Sequence, residues 1–310
     1  MRTWFITGIS SGFGRGMAET LLAAGDRVAG TLRDLSAADD LKSQYPDQLW
    51  LAALDLTHTG AITPTVDDAW AAMERIDVVV SNAGYGLLGA AEEVTDAQIR
   101  HQIDTNLLGS IQLVRAALPH MRAQGGGRIL QISSLGGQVA IPGGSLYHAT
   151  KWGIEGFLET VAQEVAVFGI GCTIVEPGSA RTGFRNRSAI VGTRIPAYDA
   201  SPSRRINHIV EDKSILSPGD PAKMVDAMIA SVEQDPAPLR LVLGSDSYLH
   251  ITQTLTTRLA QLHAQRELAC STDHAEQGHA PQWFQGTNDR ADAACHGGLD
   301  TNAAQSADGA

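Results

Sequence analysis

Tyr147 and Lys151 are four residues apart, so on a helix the ammonium and the phenol share one face. A tyrosine with its reference pKa near ~10 is a poor base at neutral pH. A lysine charge one turn away favours the phenolate, which makes the hydroxyl a usable acid and base. Ser134 precedes the tyrosine by thirteen residues and supplies a hydroxyl able to hold and polarise a carbonyl oxygen. Asn106 lies in Asp104-Thr105-Asn106, in mid-helix, where asparagine has poor propensity. Far upstream runs Thr7-Gly8-Ile9-Ser10-Ser11-Gly12-Phe13-Gly14. Glycines at such a turn let backbone amides and a helix N-terminus approach a pyrophosphate.

These residues need a scaffold, and the hydrophobic pattern describes one. Apolar runs at 3–7, 27–31, 49–55, 76–81, 128–133 and 170–176 read as strands buried on both faces, with a seventh at 239–243. The intervening segments have helical period. In the first, Phe13, Met17, Leu21 and Leu22 form one face and Gly25 closes it as a C-cap. Strand–helix alternation demands crossovers, hence an α/β fold with a parallel sheet and helices on both sides.

Taken in order, the glycine turn, Asn82-Ala83-Gly84, Asn106, Ser134, Tyr147 and Lys151 resemble the short-chain dehydrogenase/reductase family in its simple, non-extended branch. The resemblance covers roughly residues 1–265. It implies a doubly wound Rossmann sheet of order 3-2-1-4-5-6-7 in a single domain, and a nicotinamide-dependent oxidoreductase acting on an alcohol or carbonyl. The glycine spacing is Gly-x3-Gly-x-Gly, as in the family, and not the Gly-x-Gly-x-x-Gly of many two-domain dehydrogenases. Asn106, Ser134, Tyr147 and Lys151 match the catalytic tetrad, in which the asparagine binds a water that carries a proton relay from the lysine towards solvent. Strand alternation and the thirteen-residue spacing prefer Ser134 over Ser133. The resemblance assigns Gly8, Ser10, Ser11, Gly12, Phe13, Gly14, Arg33, Asp55, Asn82, Gly84, Tyr147, Lys151, Pro177, Gly178 and Thr182 to the cofactor. Asp55 would bond the adenine ring, Thr182 the carboxamide, and Lys151 the nicotinamide ribose.

The choice between NADP and NAD turns on the end of the second strand, Gly30-Thr31-Leu32-Arg33-Asp34. An acidic side chain there binds both ribose hydroxyls and repels a 2′-phosphate. Leu32 takes that position and Arg33 follows with a planar fork of donors suited to phosphate. NADP is expected, with NAD open because Asp34 could take the ribose or pair with Arg33.

Substrate contacts in the family come from the loops after the fourth, fifth and sixth strands. Tyr85, Leu87, Leu135, Val139, Ile141 and Phe184 there suit a bulky ketone or secondary alcohol. The stretch 183–217 carries Arg185, Arg187, Arg194, Arg204, Arg205 and Lys213 against Asp199, Glu211 and Asp212. It reads as a solvated, mobile lid, or as a reader of an acidic substrate or cofactor phosphate. A non-catalytic nucleotide-sensing regulator is the alternative, set against the presence of all four tetrad residues.

Net charge −11 and pI about 5.3 argue against a nucleic-acid partner. The three cysteines, Cys172, Cys270 and Cys295, have neither metal-ligand spacing nor a disulfide framework, which fits a reducing compartment. With no signal peptide and no apolar run of ~18 residues, a soluble cytoplasmic protein without metal or membrane partner is expected. The resemblance implies a homodimer or homotetramer, built on the helices that hold Asn106 and Tyr147. From 271 to 310 the chain holds Trp283, Phe284 and Leu299 as its only bulky apolar residues, with Asp273, Glu276, Asp289, Asp292, Asp300 and Asp308 against Arg290. Such a segment reads as a disordered acidic tail, or as one that docks through Trp283-Phe284.

Overall fold

Strand β1 (Thr3–Thr7) is buried at every residue, and it pairs in parallel with β2 (Arg27–Leu32) on one side and β4 (Val78–Ser81) on the other. The chain is a computed structural model describing residues 1–184, 188–212 and 214–272. Around β1 the sheet extends through β3 (Leu49–Ala53), β6 (Gly127–Ile132), β7 (Ile170–Pro177) and β9 (Arg240–Leu243), in the order β3-β2-β1-β4-β6-β7-β9. Every pairing in it is parallel. Numbered within this sheet alone, the order is the expected 3-2-1-4-5-6-7.

Alternation along β1 divides the core. Trp4 and Ile6 join Met17, Leu21 and Leu22 of α1 (Gly12–Ala23) and Met224, Val225 and Met228 of α8 (Pro221–Ser231) on one face. The small helix α2 (Asp39–Gln44) adds Leu41 to that cluster. Phe5 faces the other side, against Ile62 and Val66 of α3 (Thr59–Met73), Leu113 and Val114 of α5 (Gly109–Ala123), and Leu158 and Val161 of α6 (Ser145–Val165). Gly25 ends α1 as expected: at φ +90° its N–H bonds Leu22 O while Asp26 N reaches Leu21 O.

Two expectations need correction. The run 49–55 is not a strand buried on both faces, because β3 is the sheet edge and only Leu49 in it is buried. Residues 86–88 and 189–191, read as loop, form β5 (Gly86–Leu88) and β8 (Ala189–Val191), a parallel two-stranded sheet of their own.

Helix α4 (Asp96–Ile103) runs into α5 through a π-helical turn over Asp104–Leu108, and Asn106 sits in that turn. By contacts, Met1–Thr252 forms one unit and a second begins at Gln253, within α9 (Ser245–Ala264), with α10 (Arg266–Ser271) following. The tail beyond residue 272, with Trp283 and Phe284, lies outside the described residues, as do Arg185, Arg187 and Lys213. Among the described residues no helix is long and apolar enough to cross a membrane.

Candidate active site

A cleft of about 720 Å³ opens at the C-terminal ends of the central strands. The β1–α1 turn forms one end. Gly8, at φ +74°, donates its N–H to Thr31 O at 2.7 Å, and a Cβ there would come within 3.0 Å of the Ala83 Cβ. A Cβ on Gly14 would lie 2.5 Å from Asn82 Nδ2, so glycine is what lets α1 start this close to the sheet. Thr7 Oγ1 accepts from the N–H of both Asn82 and Ala83 at 3.0 Å, and Asn82 Nδ2 donates to Thr7 O at 2.8 Å. Asn82 therefore ties the end of β4 to the end of β1. Ser11, the N-cap of α1, bonds no amide through its side chain, so the first amides of the helix are left for an anion. Ser10, Gly12, Phe13 and Gly84 line the same cleft.

At the end of β2 the three side chains separate. Leu32 is buried. The Asp34 carboxylate accepts from Ser36 N at 3.1 Å and Ser36 Oγ at 2.7 Å, capping the turn that follows. It pairs with neither Arg33 nor the cleft. Arg33 is exposed at the cleft edge and makes no hydrogen bond or ion pair among the described residues. Asp55, just past β3, accepts from Thr57 N at 2.9 Å and Thr57 Oγ1 at 2.8 Å. Partial burial opposes its ionisation, but the Thr57 bonds and the Arg33 and His58 charges hold its carboxyl below the usual range.

The middle of the cleft holds the phenol. Ser134 stands beside the Tyr147 phenol; burial pushes the phenol up to about 12, with the Ser134 side chain working the other way. Lys151 Nζ lies 5.7 Å from the Tyr147 ring centroid and donates to Ile132 O at 2.8 Å. Burial lowers Lys151 to about 8, against the raising charge of Glu155 one turn on. Ser133 turns away: its Oγ donates to Glu155 Oε1 at 2.5 Å, beside buried Glu176 and half-buried Arg240. Burial and the neighbouring Glu155 together push Glu176 up to about 7.

Asn106 stands behind this group. Its Oδ1 accepts from Tyr85 N at 3.0 Å and its Nδ2 donates to Tyr85 O at 2.7 Å. The side chain is thus committed to clamping the β4–β5 connection, and any water on a relay has the backbone to meet instead. Past β7, Gly178 N donates to Leu243 O at 2.8 Å and Asp246 Oδ2 accepts from Ser179 N at 2.7 Å, fixing the Pro177-Gly178 turn. Thr182 Oγ1 accepts from Phe184 N at 3.2 Å, and its Cβ is 4.0 Å from where a Cβ on Gly12 would sit. Thr182 thereby spans the cleft to the glycine turn.

Of the expected substrate wall, Tyr85, Leu135, Ile141 and Phe184 line the cleft. Leu87 and Val139 do not; they are buried, Leu87 within the β5 pairing. Sequence reasoning missed Leu88, His101, His148 and Ile190, as well as Ile206, Ile209 and Val210 of α7 (Arg204–Glu211). The i, i+3, i+4 spacing of the α7 residues was the available signal. The segment 183–217 is also anchored. Glu93, buried beside β5, accepts from Arg204 through both guanidinium nitrogens, from Ile195 N at 2.8 Å and from Ala90 N at 2.8 Å. The Arg204 bond, overcoming burial, lowers Glu93 to about 2. Arg194 and Arg204 both reach Asp199 as well, so these two arginines hold the segment together and do not face a ligand.

A doubly wound sheet with an uncapped glycine-rich helix start and a tyrosine–lysine pair on its cleft defines a Rossmann-type oxidoreductase. A family model described as short chain dehydrogenase matches residues 2–189. The chain belongs to that family. A short-chain dehydrogenase from Streptomyces avermitilis has a solved structure that is 40% identical, superposes with a TM-score of 0.82, and covers 88% of this chain and 98% of its own. Oxidoreductase BOA17 of Botryotinia fuckeliana is 33% identical over 87% of this chain and 99% of that protein. A 3-ketodihydrosphingosine reductase of Bacteroides thetaiotaomicron is 36% identical over 60% of this chain and 68% of that protein.

Proposed function

We propose that this oxidoreductase interconverts a bulky, largely apolar ketone and its secondary alcohol with NADP, Tyr147 serving as the acid in reduction and the base in oxidation. One observation carries the reading: Tyr147, with Ser134 and buried Lys151 beside it, lines the same cleft as the uncapped start of α1.

The nicotinamide, when bound, supplies or takes the hydride, and the chain's own residues handle one proton. Gly8, Ser10, Ser11, Gly12, Phe13 and Gly14 would receive the pyrophosphate on open amides. Asp55 and Gly84 would meet the adenosine half, and Pro177, Gly178 and Thr182 the carboxamide end. Asn82 supports this cradle from behind through Thr7. Ser134 Oγ and the Tyr147 hydroxyl converge on one substrate oxygen; the phenol releases its proton there in reduction. At neutral pH a phenol near 12 is protonated, which suits the acid. The Lys151 charge sits beside it and stabilises the phenolate left behind. Asn106, clamping Tyr85 from the π-turn, ties the β4–β5 connection to the turn against which α6 sets Tyr147.

NADP over NAD follows from the end of β2. A buried Leu32 and a capping Asp34 leave no acid for the ribose, and Arg33 is open to a 2′-phosphate. ElxO, which shares the fold at a TM-score of 0.65, is solved with NADP bound. The apolar wall of Leu88, Phe184, Ile190, Ile206 and Ile209 favours an extended apolar substrate, and one relative is named for reducing a 3-keto group. Purified protein offered NADPH or NADH with a panel of short, long-chain and aryl ketones, followed at the cofactor absorbance, tests all of this. Turnover is expected with NADPH and the larger ketones. Cofactor binding without turnover of any carbonyl or alcohol would mark a nucleotide sensor instead.

A further inference from the structure

We propose that His148 is a specificity-determining residue, whose Nε2 accepts a hydrogen bond from a hydroxyl or N–H carried beside the reacting carbonyl. The substrate class then narrows to ketones with a donor on the adjacent carbon and an apolar arm. This rests on the ketone reading of the cleft given above.

His148 follows Tyr147 in α6, and the two rings meet edge to face with centroids 6.0 Å apart. Val139 O lies 2.6 Å from His148 Nδ1. Two acceptors do not meet at that distance, so the proton is on Nδ1. Ile141 N approaches the same nitrogen at 3.4 Å, too long to compete for it. Burial lowers the imidazole pKa, against the Val139 bond, and so favours the neutral ring. A neutral ring protonated on Nδ1 has a lone pair on Nε2. Nε2 itself makes no hydrogen bond among the described residues, and His148 lines the cleft.

Two glycines keep that nitrogen open. A Cβ on Gly144 would stand 2.5 Å from Nε2, and one on Gly136 3.5 Å from it. Gly144 has φ −119°, a conformation any residue adopts, so its backbone has no need of glycine. What the missing side chain provides is room for the imidazole edge, since a Cβ there would also stand 2.7 Å from Cδ2. The neighbouring wall of Ile141, Phe184 and Ile206 is apolar. A substrate lacking a donor would bury Nε2 unpaired, and a site built to bond a substrate hydroxyl rejects the analogue without it.

The experiment compares 1-hydroxy-2-decanone with 2-decanone in wild type, His148→Phe and Gly144→Ala, with NADPH. Wild type should favour the hydroxyketone by roughly ten-fold in kcat/KM, expressed in KM. Phe removes the acceptor and Ala covers it, so in both variants the ratio should fall to about one. A merely structural role would lower both substrates together and leave the ratio intact; that result, or no preference in wild type, overturns the proposal. If wild type reduces neither ketone, the reading of the cleft as a ketone site fails on its own. Affinity of the two ketones for the enzyme–NADPH complex, read by fluorescence, then decides the His148 question, equal affinities overturning it.

Discussion

The two ends of the cleft are built on different principles. At the cofactor end the groups that matter are main-chain ones: Gly8 N on Thr31 O, the Asn82–Thr7 stitch, the free amides of α1. They hang on central strands whose pairing fixes them. At the substrate end the wall is held by side chains, above all Glu93 gripping Arg204 across 111 positions of sequence. Backbone built into a parallel sheet has little freedom to change, whereas a wall hung on one ion pair can be altered by altering the pair. The catalytic phenol stands between them, on α6, and depends on both.

The largest effect is expected where the two ends meet. Tyr147→Phe should lose roughly 10²–10⁴ in turnover while NADPH affinity, read by fluorescence, changes little. Unchanged turnover on an accepted substrate would remove the phenol from the mechanism. At the cofactor end, Arg33→Ala should weaken NADPH by about one to two decades and scarcely touch NADH. Added salt should shrink the wild-type preference, since the guanidinium is at the surface. Tighter binding of NADH by wild type would reverse the cofactor assignment. At the substrate end, Glu93→Gln should raise KM by roughly ten-fold, because the wall shifts, and leave NADPH affinity alone. A matching loss of NADPH affinity would show that the ends are not independent.

The smallest effect is a pH signature of the middle. Lys151 has a folded pKa of about 8, below its ordinary 10.5, so the unfolded chain binds more protons between those values. Stability from this group therefore rises as pH climbs from about 8 to 10.5, where the cost of burying its charge disappears. Lys151→Met should abolish that rise, on the order of a few degrees in melting temperature, measured by calorimetry in parallel with wild type.

The same division governs what the residues alone disclosed. The strands of the main sheet were legible because a buried parallel strand is largely apolar along its length, as Trp4-Phe5-Ile6 in β1 and Ile174-Val175 in β7 are. The glycine turn, Ser134, Tyr147 and Lys151 were legible because their types and spacing recur together. Asn106, a poor helix former in mid-helix, falls in the π-turn. β5 and β8 were not legible. Each has three residues, too few for a period, and their partners are distant in the chain. Nor does any pattern announce that Glu93 will meet Arg204 or that Asp34 will turn to Ser36; charge in a sequence states what is available, not where it is used. His148 was hidden for the same reason, because its role is set by the Val139 carbonyl and by the absence of side chains at Gly136 and Gly144.

The pairing of β5 with β8 has a further consequence. It docks the substrate segment onto the body at both its entry and its Glu93-bound middle, before the chain goes on to α7. The side chains this segment turns into the cleft can change character without moving Ser134, Tyr147 or Lys151, which other elements carry. The arrangement works as an interchangeable visor on a permanent helmet. New substrate ranges could be engineered by rewriting Ile206, Ile209 and Val210 on the inward face of α7, with the proton-handling machinery carried over unaltered.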